Sequence, residues 1–180
     1  MGEMTGEKND PAVEEYPPNS IHLVRTAQQL TMTLSQMADQ KASILMGATF
    51  VVFTVSIGQA SRTAMPISLG ILAFFAFVSA VLAVTAVLPR VSPRGAKPNP
   101  NILFFGTFSE MGEQEFIDAV KSQMRNDDDI LATMLRDIHQ NGSMLARRKY
   151  HFLALAYRTF IVGLTLTLLS FLYELSRSWL

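Results

Sequence analysis

With 180 residues and a mass of 20.0 kDa, the chain has room for one compact domain and not for a multidomain enzyme. Lys plus Arg and Asp plus Glu stand at 15 each, so no basic excess points to nucleic acid as a partner, and zero cysteines exclude disulfides, thiolate metal sites and a cysteine nucleophile. Charge is distributed unevenly: from Ala42 to Pro89 the one charged residue is Arg62, and from Thr159 to Tyr173 there is none, which excludes an ordinary soluble domain.

Residues 1–20 carry two Gly, three Pro, five acids and one Lys with few bulky aliphatic side chains, and read as a disordered tail. They lack the basic start and early apolar run of a signal peptide. From Ile21 the pattern becomes helical. Leu23, Leu30, Met37 and Ile44 stand seven apart with Ala27 and Leu34 between them, a stripe that predicts packing against a partner helix. Asn19 or Ser20 is the expected cap, and Gln28, Gln29, Thr33, Gln36 and Gln40 are assigned to watered faces.

This amphipathic stretch, 21–41, continues without a breaker into a first span at 42–61. A turn holding Gly58, Arg62 and Pro66 leads to a second span at 65–89. The alternative is a buried core hairpin in a soluble bundle, but too few amphipathic segments remain to wrap two helices so uniformly apolar. Pro93, Gly95, Pro98 and Pro100 then mark a loop. Ser109 is the expected cap of a short helix ending near Arg125, and Asn126 with Asp127, Asp128 and Asp129 opens another. No proline interrupts Ile130 to Tyr173, and Leu131, Ile138, Leu145 and Phe152 repeat every seven residues. One long helix is predicted, with its second half a third span at 154–175 and a short tail at 176–180. Tyr150, Tyr157, Tyr173 and Trp179 serve as interfacial anchors.

The predicted fold is thus all-α: an integral membrane protein with three transmembrane helices and a helical module at 90–153, two of its helices running from cytosol into membrane. Ten of the 15 Lys and Arg lie between Arg90 and Arg158, which orients the N-terminus and the module toward the cytoplasm and the C-terminus outside. Small residues four apart, Ser43 with Gly47, Ala76 with Ala80 and Ser79 with Ala83, suggest a homo-oligomer.

Catalytic signals are sparse. His22, His139 and His151 show no metal-ligand spacing, and no phosphate loop, dinucleotide fingerprint or nucleophile elbow is present, so neither an enzyme nor a metal site is expected. Asp39 and Lys41 mark the junction of the first helix with its span, and Arg147, Arg148, Lys149, Tyr150 and Arg158 mark that of the last. If the two helices pack side by side these groups meet at one level, either as an anion site or as ordinary cationic flanks of a span together with a Lys and Asp surface pair. Phe104, Phe105 and Phe108 are either a plug against the helices or a stacking platform for a planar base.

The order Ala38-Asp39-Gln40-Lys41-Ala42, then Asn101 to Phe108 with its Phe-Phe-Gly core, then Glu115-Phe116, then Arg148-Lys149-Tyr150 and Ala156-Tyr157-Arg158, resembles the transmembrane effectors of Pycsar antiphage systems. The resemblance covers about Leu30 to Tyr173. It implies a cell inner membrane effector that cyclic CMP or cyclic UMP, made by a neighbouring pyrimidine cyclase upon infection, activates to impair membrane integrity in abortive infection. Membrane lipids and the nucleotide are the implied partners, and Asp39, Lys41, Asn101, Phe105, Lys149 and Arg158 are the matched positions taken as ligand-binding candidates. Where that family often has Tyr, this chain has Phe116 and lacks the hydroxyl. Related two-span effectors of other nucleotide-signalling defence systems look similar, and a small membrane subunit or anchor with no ligand is the other class of reading.

Overall fold

A computed structural model of the chain describes residues 16–60, 66–88 and 101–178. The expected N-terminal tail up to residue 15, the hairpin turn with Arg62, the Pro-rich loop with Arg90, Arg94 and Lys97, and the anchor Trp179 lie outside the described residues. Those described form helices and no strand. Helix α1 is Ser20–Ala60, α2 is Ile67–Val87, α3 is the single turn Phe105–Phe108, α4 is Glu113–Gln123, α5 is Asp127–Met144 and α6 is His151–Ser178. A π-helical stretch, Leu145–Tyr150, joins α5 to α6, so that one helical path runs from Asp127 to Ser178.

Three of these helices are long and apolar enough to cross a membrane. Their lengths differ greatly. At 1.5 Å per residue, the 21 residues of α2 make about 31 Å, close to the thickness of a hydrocarbon core. The 41 residues of α1 make about 61 Å, and the 52 from Asp127 to Ser178 about 78 Å. Both long helices therefore continue past the end of α2 as an extramembrane module. That end has a local cause: Leu88, with φ −53° and ψ 119°, leaves helical geometry immediately before Pro89 in the sequence.

α2 lies between α1 and α6, and its buried positions are Ser68, Ala73, Ala76, Ser79, Ala83 and Ala86. Its large side chains, among them Phe74, Phe77 and Val81, point outward, as do Phe50, Val51 and Val55 on α1 and Leu164, Leu168 and Leu169 on α6. Small residues inside and bulky apolar ones outside invert the arrangement of a soluble core and suit a lipid surround. This distribution decides against the soluble-bundle alternative, which would leave the outward phenylalanines in water. The chain is a multi-pass membrane protein.

Close approach is what the small residues permit. Ala76, Ser79 and Ala83 are fully buried, as is Ala156 on α6, and the Ser79 hydroxyl donates to the Ala156 carbonyl at 2.9 Å. The buried hydroxyls of Thr49 and Ser56 are satisfied within α1 by the carbonyls of Leu45 and Val52. These residues therefore pack the protein's own helices, which removes Ala76, Ser79 and Ala83 as a basis for lateral assembly; Ser43 and Gly47 stay exposed. At the far end, the Glu174 carboxylate accepts from the Ser68 backbone N–H at 3.1 Å and its hydroxyl at 2.8 Å, placing an anion at the N-terminus of α2.

Two expectations on α1 and α3 need correction. Leu23, Leu30, Met37 and Ile44 are exposed, and the side turned inward carries Val24, Ala38, Ala42 and Leu45 instead. For Met37 and Ile44 the reason is the contact of Ala38, Ala42 and Leu45 with the small residues of α2, which selects side chains by size rather than by apolarity; Leu23 and Leu30 lie beyond the end of α2. Ser109 closes the α3 turn, its N–H donating to the Phe105 carbonyl, and α4 starts later, at Glu113, with the Glu115 carboxylate accepting from the Gly112 N–H at 3.4 Å. Asn126 does cap α5, its side-chain oxygen accepting from the Asp129 N–H at 2.7 Å.

Gly163 on α6 tests the close approach. A methyl group there would overlap Cβ of Phe75, an atom fixed by the α2 backbone, whereas one at Gly47 meets nothing within 4 Å. Gly163→Ala should lower the thermal midpoint in detergent by an amount equivalent to about 1–3 kcal/mol, the range for overpacking, while Gly47→Ala leaves it unchanged or raised.

Candidate functional site

Where α2 stops, α1 and the last helix continue, and the space between them is a cavity of about 470 Å³. Its floor is Thr85 to Leu88. One wall is α1 from Gln28 to Asp39, and the other runs from Asp137 to Phe152 on the last helix. Phe104 and Phe105 close the remaining side. Ile138, Leu145 and Phe152, three members of the seven-residue repeat on the last helix, line it, so that stripe does face inward.

A carboxylate holds one end. Asp137, buried at 4% exposure, accepts from Asn101 and from Asn141 at 2.7 Å each through Oδ1, and from Gln28 at 3.1 Å through Oδ2. Asn101, equally buried, turns its own oxygen to the Leu103 backbone N–H at 3.0 Å. The loop is thus tied to α5 and α1 by one acidic side chain, and no buried side-chain polar atom among the described residues lacks a partner. Gln28, assigned to a watered face from the sequence, is here half-buried because Asp137 gives its amide an acceptor.

A cation stands at the other end. Lys149, on the π-helical stretch, donates to both oxygens of Asp39 at 2.8 Å and to the Ser35 hydroxyl at 2.9 Å, which employs all three of its N–H groups. Arg148 lines the cavity beside it and makes no ion pair among the described residues. The Tyr150 and Tyr157 hydroxyls donate to the Leu34 and Lys41 carbonyls at 3.2 Å each, fastening the last helix to α1 on either side of the pair. A π-helical turn widens the helix at this junction, a distortion found often at functional sites.

Of the six candidates, Asp39, Phe105 and Lys149 line the cavity, and Asn101 lies behind it as the tether of its loop. Lys41 and Arg158 are exposed and form no part of its lining. The three phenylalanines divide: Phe104 and Phe105 line the cavity with ring centroids 4.9 Å apart, while Phe108 packs on Phe116 at 5.3 Å. Gly106 fits the Phe-Phe-Gly core because a side chain there would collide with the Phe104 ring. Sequence reasoning missed Asp137, Gln28 and Asn141. The available signal was an acid placed directly beside Ile138 on the apolar repeat.

Three helices long and apolar enough to cross a membrane, with a cavity of polar and aromatic lining where the middle one ends, define a multi-pass membrane protein with a helical extramembrane module. The chain matches the PycTM family, the Pycsar effector protein domain, over residues 22–174, and belongs to it. It is thereby an effector of antiphage cyclic-nucleotide signalling, acting on a signal from a cyclase partner. Neither the curated proteins nor the solved structures give a match.

Asp137→Ala should leave the buried amide of Asn101 and the half-buried amides of Gln28 and Asn141 without this acceptor, at roughly 1–3 kcal/mol for Asn101 and less for the two that water can reach. The expected outcome is a lowered melting temperature with faster proteolysis near Leu103, while His139→Ala, two residues along on an exposed position, changes neither.

Proposed function

We propose that the cavity receives cyclic CMP or cyclic UMP, and that occupancy shifts the packing of α1 against the last helix so that the inner membrane loses integrity. The observation that carries this reading is the pairing of Lys149 and Arg148 with Phe104 and Phe105 around one space. The cations suit a cyclic phosphate, the rings suit a planar base, and the amides of Gln28 and Asn141 offer hydrogen bonds to the base edge or the ribose.

Coupling follows from competition. The Lys149–Asp39 pair is partly open to solvent, with side chains 29% and 40% exposed, and pairs of this kind are worth about 0–1 kcal/mol. A phosphate entering beside Lys149 therefore displaces Asp39 at small cost and releases the clip between α1 and the last helix. Both helices enter the membrane without a proline at the junction, so a movement begun at the cavity reaches the bilayer as a rigid-body displacement. The ligand must bind the displaced arrangement better than the clipped one, since equal affinity shifts nothing. In this account the module and the N-terminus face the cytoplasm, where the nucleotide is made, and the chain performs no catalysis.

Binding of cyclic CMP and cyclic UMP to the full-length protein in detergent, measured by calorimetry, tests the reading. Lys149→Ala should weaken the preferred nucleotide by about 1–3 kcal/mol, the range for a charge-assisted hydrogen bond, and Phe105→Ala by about 1–3 kcal/mol, the range for a lost stacking partner. Lys41→Ala and Arg158→Ala, outside the cavity, should leave affinity unchanged. Binding of neither nucleotide to the wild-type chain favours a ligand-free membrane subunit instead.

A further inference from the structure

The stripe that α1 does not use inside its own bundle has a regular spacing. Leu23, Leu30, Met37 and Ile44 recur every seven residues, and a second set four residues behind each of them includes Leu34. Together they follow a 3.5-residue repeat, the period of a helix that winds around a partner rather than of one lying on a flat surface. None of these positions is buried: Leu23 is 75% exposed, Leu30 58% and Met37 42%. The same repeat runs on into the span through Val51 and Val55, both exposed as well.

Lipid does not cover the first half of this stripe. Ala86, at the end of α2, packs with Ala38 and Ala42, which sets the membrane edge near those residues; Leu23 lies 15 residues earlier, about 22 Å beyond it. We infer that the stripe from Leu23 to Val55 is the interface with a second copy of this chain, paired as a parallel coiled coil that continues into the membrane. Two features select a second copy over another protein. Copies inserted in one membrane share direction and depth, so each stripe meets an identical stripe in register without a search. From Thr26 through Ala38 the helix carries no charge, so identical helices approach without like-charge repulsion. The one cation on the repeat, Lys41, stands at the membrane edge, where a single polar residue at a seam position fixes register at some cost in stability. The inference is independent of the ligand.

The absence of native cysteine makes the test direct. Single substitutions Leu30→Cys, Met37→Cys, Gln29→Cys and Gln36→Cys in the full-length chain, all at exposed positions, are oxidised in native membranes and resolved without reductant. Leu30→Cys and Met37→Cys should give a product of twice the monomer mass at least several-fold stronger than the two glutamine positions, which lie off the stripe. Equal products at all four positions, none at either stripe position, or a product whose mass matches a different protein would overturn the inference.

Discussion

The length of α2 is the constraint from which the rest of the structure follows. A helix of about 31 Å fills a hydrocarbon core and ends there, while the two helices packed on it go on for roughly as far again. Beyond the end of α2 no third helix lies between the flanking helices among the described residues. The loop bearing Phe104 and Phe105 covers part of that gap, and what remains is the cavity. A longer α2 would fill it; a proline directly after Leu88 prevents that.

The same constraint decides how the two ends of the cavity are built. Toward the outer module, where apolar cover is thin, Asp137 gathers three amides and ties loop, α1 and α5 into one unit. At the membrane edge the contact between α1 and the last helix is held by the partly exposed Lys149–Asp39 pair and two tyrosine hydroxyls. One end is thus buried and costly to open, and the other is wet and cheap. That asymmetry is what a signal-responsive element needs: a fixed frame beside a contact that a modest binding energy rearranges.

Much of this was legible in the sequence, and the failures share a cause. Uncharged runs gave the spans because charge is expensive in hydrocarbon, and the Asn126 cap was read from the acids behind it. The meeting of Asp39 with Lys149 was legible because both residues mark the junction of a long helix with its span. Leu23, Leu30 and Met37 read as a stripe packed against a partner helix on the rule that apolar means buried, yet all three are exposed, and the contact of α1 with α2 is made by Ala38, Ala42 and Leu45 instead. Gln28 and Asp137 were missed by the reverse of that rule, since a polar residue on an amphipathic helix reads as watered unless its partner, here far away in the chain, is known. Nothing in Leu145–Tyr150 announced a π-helical turn, whose signature lies in backbone geometry and not in residue type.

Coupling between the cavity and the bilayer is the central claim, and dye release from vesicles carrying the full-length chain tests it most directly. Adding cyclic CMP or cyclic UMP to the face bearing the extramembrane module should release the dye from vesicles with the wild-type chain, and should release far less with Phe105→Ala, which weakens binding without touching the Lys149–Asp39 clip, at the same protein density and a nucleotide concentration near the wild-type Kd. Wild-type chains that bind the nucleotide in calorimetry yet keep the vesicles sealed would contradict the account.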